Sequence, residues 1–142
     1  MRTFHFDEGV FDIPAHWSDR SVNILMSSKG TTADFSLVTS REDLDGRDFA
    51  TVVAAQMKEL SKQMPGFRLL GQRETTVGGL PAIESRISFN TNGGQMYQRH
   101  AAVGYYGKAL FFTATTLFKD TEGCDAALDE VLATVKLRRR DE

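Results

Sequence analysis

Apolar and polar residues alternate through most of this chain, and the period lengthens to that of a helix in two stretches. Thr3 to Phe6 and Val10 to Ile13 are short alternating runs parted by Asp7-Glu8-Gly9, which predicts a hairpin with glycine at the turn. A further strand is predicted from Ser21 to Met26, with Val22, Ile24 and Met26 on one side and Asn23 and Leu25 on the other. Both sides are largely apolar, so the pattern predicts a strand covered on both faces, one of them by something other than the fold's own helices. Ser27 to Thr32 reads as a polar loop and Ala33 to Arg41 as the next strand. Connections this short join antiparallel neighbours, because parallel ones need a crossover.

Between Asp48 and Met64 the apolar positions Phe49, Val53, Met57, Leu60 and Met64 recur at helical spacing. Asp45 or Asp48 can cap the start, and Pro65-Gly66 stops the helix. Four extended segments follow, Phe67 to Val77, Pro81 to Asn90, Gln95 to Tyr106 and Ala109 to Phe118, joined by glycine-bearing reversals into a meander. Thr121 to Leu137 forms a last helix with Cys124, Leu128, Val131 and Val135 on one stripe and basic residues at its end. The order predicts one α+β domain over residues 1 to 142, an antiparallel, strongly bent sheet with two principal helices.

Composition narrows the partners. A net charge of -2 supplies no field that draws nucleic acid, and the one basic run, Arg138 to Arg140, suits a helix end and a solvated tail. The single cysteine has no internal disulfide partner, no apolar stretch is long enough to span a bilayer, and the first residues carry no basic-then-apolar leader. The expectation is a reduced, cytoplasmic setting without direct membrane insertion.

Catalytic and metal-binding patterns are missing from the sequence. His5, His16 and His100 lie in different elements at no metal-ligand spacing, so no metal and no cofactor are expected. Cys124 sits on an apolar helix stripe, where cysteine serves as a small hydrophobe. The one enzymatic arrangement to consider pairs His100 with Glu84 or Glu74 on a neighbouring strand. Methionine is flexible and polarizable, and Met26, Met57 and Met64 fall on the apolar strand and helix, where they fill core gaps or adapt to an apolar partner.

The stretch F-D-I-P-A-H-W-S-D-R-S-V-N-I-L-M at 11 to 26, S-L-V-T-S-R at 36 to 41, Q-M-P-G-F at 63 to 67 and Q-R-H at 98 to 100 together resemble the Eag family. These are small chaperones encoded beside type VI secretion effectors and related to the DcrB-like proteins. The resemblance implies a PsbP-like α/β/α sandwich. It also implies a non-catalytic chaperone or adaptor, a homodimer, whose concave apolar groove shields the hydrophobic N-terminal transmembrane helices of prePAAR effectors. By matching motifs it places Val22, Ile24, Val38, Gln56 and Met64 in that groove, with His100 where relatives carry glutamine. The apolar pattern adds Met26, Met57 and Leu60. An alternative within the same fold is an interaction or regulatory module that binds a folded partner, its groove filled by its own side chains.

Overall fold

The computed structural model describes residues 1–17, 20–26 and 35–139. The elements run β1 (Arg2–Phe6), β2 (Gly9–Ile13), β3 (Asn23–Met26), β4 (Ser36–Asp43), α1 (Phe49–Gln63), β5 (Arg68–Val77), β6 (Leu80–Thr91), β7 (Gly94–Tyr105), β8 (Lys108–Leu117) and α2 (Thr121–Ala133). A 3-10 turn at Phe118–Asp120 leads into α2. The expected polar loop at Ser27 to Thr32, the start of the strand expected from Ala33, and Arg140 lie outside the described residues.

β1 and β2 pair with each other as a separate hairpin. The other six strands form an open sheet in the order β3-β4-β8-β7-β6-β5, and every neighbouring pair is antiparallel. The meander β5 to β8 follows from its turns, where Gly78 and Gly79 both hold positive φ, a conformation that glycine adopts without steric cost.

The stripe at helical spacing puts α1 on one face of this sheet. Asp48 caps it, its carboxylate accepting from the Thr51 amide at 3.2 Å, and Met64 ends it at Pro65-Gly66 as the sequence predicts. Gly66 has φ +66 and abuts the Asn90 side chain so closely that a Cβ would collide with it, while the Asn90 amide donates to the Pro65 carbonyl at 2.7 Å. That fastening holds the exit of α1 against β6. Beneath the helix, Val53 packs with Ala102, Ala109 and Phe111, and Met57 with Ile87 and Phe89.

The opposite face is covered by α2 and the segment after it. Cys124 and Leu128 pack on Tyr97 and Ala114, and Leu132, Val135 and Leu137 continue the contact onto Val77, Ala82 and Val103. The helix ends at Ala133, four residues before the expected Leu137, so Val135 and Leu137 reach the core from an irregular tail. Val131, expected on the buried stripe, is exposed because the buried line of the helix runs through Cys124, Leu128 and Leu132, one position round from it.

Under α2 lies a buried charge cluster. The Arg99 guanidinium donates to Glu84 at 2.6 Å and to Asp129, and Tyr97 donates its hydroxyl to Asp125 at 2.8 Å. Arg73 meets the other Glu84 oxygen at 2.8 Å. Burial pulls the Arg99 pKa down, but the hydrogen bonds to Asp129 and Glu84 outweigh it and hold the group above its usual range. A sheet face that buries a charge thereby fixes where α2 must sit, since Asp125 and Asp129 of that helix complete the shell.

Candidate functional site

The register lines up six side chains on the α1 face, one from each strand: Ile24, Val38, Thr113, His100, Ser85 and Gln72. A parallel row one step along holds Met26, Ser36, Thr115, Gln98 and Ile87. α1 covers the end of these rows that lies over β6 and β7, with Met57 on Ile87, and leaves the β3 and β4 end open. Ile24 is accordingly 66% exposed, Met26 72% and Val22 50%. Three neighbouring apolar side chains standing in water on one sheet face mark a binding surface more strongly than scattered ones do.

The centre of the same face is polar. His100 is 5% exposed, its Nε2 donating to Gln98 Oε1 at 2.9 Å and its Nδ1 accepting from the Thr113 hydroxyl at 3.3 Å. Gln72 donates to the Ser85 hydroxyl at 2.9 Å alongside. Burial lowers the His100 pKa to about 4, so the ring is neutral at pH 7 and its hydrogen bonds are made as an uncharged group. On α1 above this floor, Gln56 is half-buried and its Oε1 is buried without a hydrogen-bond partner among the described residues. An orphaned buried amide oxygen is costly.

At the Val22 end the face opens into a cavity of about 1140 Å³ whose walls include Val22, Gln56, Ser40 and Phe111 together with charged residues from β4, β8 and the tail. It forms because the β3 ladder stops at Asn23 opposite Thr39 while β4 continues to Asp43.

Not every expected groove residue stands on this surface. Val22, Ile24, Met26 and Val38 share the open face, but Met57 is 8% exposed and belongs to the core with Phe89. Leu60 and Met64 are partly buried against that same cluster and form its rim. His100 is present on the face, yet it is held by Gln98 and Thr113, neither of which the strand pattern distinguishes from an ordinary polar position. The Q-R-H motif at 98 to 100 was the one signal for Gln98; Thr113 had none. β3 is not covered on both faces as the pattern implied. Leu25, on its other side, is 58% exposed, because β3 is an edge strand that α2 does not reach.

The enzymatic pairing loses its geometry. Glu84 projects from the α2 face, where Arg99 and Arg73 hold its two oxygens, whereas His100 projects from the α1 face. Glu74 stands exposed on β5, level with Ile83, and the ring nitrogens of His100 are taken by Gln98 and Thr113. The Cys124 thiol is buried and pushed up to about 11 by that burial and by the Asp125 charge, so it is protonated at neutral pH. Among the described residues no group of His, Cys, Asp and Glu is arranged to hold a metal ion, and no helix is long and apolar enough to cross a membrane.

An open antiparallel sheet between two helices, with an apolar face left bare beside one of them, defines an α+β fold of the PsbP-like type. Cyanobacterial PsbP from Synechocystis sp. PCC 6803 shares the fold at a TM-score of 0.52 and 13% identity over 78% of each chain. LpqN, involved in cell envelope biogenesis of Mycobacterium tuberculosis, does so at 0.59 and 18% identity over 87% of this chain and 88% of its own. The sequence model of the DcrB family matches residues 8–134, and the chain belongs to that family. It is 27% identical to Effector EagT6 of Pseudomonas aeruginosa over 137 residues, 95% of each chain. PA94, a Pseudomonas aeruginosa protein of unknown function, superposes at a TM-score of 0.84 with 26% identity over 98% of both chains.

Proposed function

We propose that this protein is a non-catalytic chaperone or adaptor of type VI secretion, which receives an apolar transmembrane segment of a secreted effector on the open face beside α1. The observation that carries this reading is the row of exposed Val22, Ile24 and Met26, continuous with Val38, with Val22 and Gln56 lining the same cavity. Similarity to Effector EagT6 and membership of the DcrB family support the same setting. Covering apolar surface contributes on the order of 25 cal/mol per Å² before ordering costs, so a client helix laid across this face stabilises both partners. Gln56 is the polar residue bordering this wall, and its buried oxygen meets a client's hydroxyl or amide donor only when the side chain turns outward. The working form in this reading is a cytoplasmic homodimer that releases its client to the secretion machinery.

The test is co-expression with an effector's N-terminal apolar segment and capture of the complex. Native protein retains the segment, and folded Val22→Asp and Ile24→Asp variants lose it. Equal retention by native and variant protein sinks the reading.

A further inference from the structure

Resting on this reading of the apolar face, we propose that the cavity at the free edge of β4 binds an acidic stretch flanking the client's apolar segment. The chain as a whole carries a net charge of -2, yet seven cationic side chains and three carboxylates line this one cavity. Arg47 is already engaged, by Glu42 at 3.5 Å and by the carbonyls of Leu44 and Asp43. Arg41, Lys108 and Lys136 make no ion pair with the described residues and line the part of the cavity on the α2 side of the β4 edge.

Position gives the cavity its role. Val22, Gln56 and Phe111 line it from the α1 side of the sheet, whereas Arg41, Lys108 and Lys136 line it from the α2 side, so a chain leaving the row of Ile24 and Val38 reaches those cations by passing round the free edge of β4. The β4 backbone from Ser40 to Asp43 has no β3 partner there, which leaves room for the chain that emerges from the apolar segment. The carboxylates of Glu42, Asp43 and Asp45 interrupt the positive wall. Discrete acidic side chains on a peptide suit such a wall, whereas the unbroken charge of a nucleic acid meets repulsion. A lysine-rich flank meets net like charge.

The experiment uses the full chain and three tagged probes, each the same apolar leucine-alanine helix flanked at both ends by a short run of aspartate, of serine or of lysine. Retention by the native protein is expected to fall in that order, with roughly tenfold between the aspartate and lysine probes at low salt and a smaller gap at high salt, since exposed charges are screened. Arg41→Glu with Lys108→Glu reverses the order. If that double variant does not fold, Lys108→Gln with Lys136→Gln must at least flatten it. Equal retention of all three probes overturns the acidic-flank assignment and leaves the apolar face standing. Retention of none overturns both, and an order unchanged in a folded variant removes the assignment from this cavity.

Discussion

On the α2 face Arg99 is 1% exposed and is shared among Glu84, Asp125 and Asp129, whereas on the α1 face Ile24 stands two-thirds in water. The same sheet carries both arrangements, a few strands apart. A buried cation accepts only the neighbours that neutralise it, so the α2 side has one arrangement and is closed. Exposed aliphatic groups carry no directional demand, so the α1 side imposes no single arrangement on what packs there. On the proposed function, rigidity on one face and tolerance on the other suit client binding, because the register that α2 fixes keeps the open row aligned.

The largest way to break this contrast is to open the closed face. Arg99→Met leaves the buried Glu84 with only the exposed Arg73 as charge partner and is expected to cost about 3 kcal/mol in urea unfolding, with part restored by adding Glu84→Gln. A cost below about 1 kcal/mol would mean that the clamp does not order α2. Next comes the boundary between core and open face on α1. Met57→Ala should cost about 2–3 kcal/mol because it empties a site beside Ile87 and Phe89. A neutral Met57→Ala would return that residue to the groove.

The His100 cluster sharpens the comparison through pH. Its folded pKa, about 4, lies below the unfolded value of 6.5, so the unfolded state takes up the proton first as pH falls. Stability is therefore full above about pH 6.5 and is lost progressively down to pH 4, by up to about 3 kcal/mol at roughly 1.36 kcal/mol per pH unit. His100→Gln should remove that acid sensitivity in a series of denaturation curves, and an unchanged pH dependence would place the sensitivity elsewhere. The smallest effect belongs to the open row. Ile24→Asp, at an exposed edge-strand position, should shift stability by no more than about 0.5 kcal/mol while abolishing client capture. A large loss of stability would show that the side chain is structural.

Much of the architecture was legible in local pattern. The α1 cap at Asp48, its stop at Pro65-Gly66 and the three glycine-bearing reversals are short-range matters, decided within a turn or two of chain. The apolar face was half legible. Alternation put Val22, Ile24 and Met26 together, but it could not tell an edge strand open to water from an inner strand, which is why Leu25 was expected to be covered. Met57 and Leu60 share one helix stripe, and the stripe does not say how far along it the sheet beneath extends.

The sequence by itself determined what each element is and which side of it is apolar, because period, capping and glycine placement act through neighbours in the chain. It also determined, through the ordered motifs, the DcrB family to which the chain belongs. Tertiary structure alone decided which side chains meet. The pairing of β3, β4, β8 and β7 brings Ile24, Val38, Thr113 and His100 into one row from distant parts of the chain, and the end of the β3 ladder at Asn23 opens the cationic cavity. Register and strand order come from long-range packing and from the buried Arg99 shell, and neither leaves a mark on the residues next door in sequence.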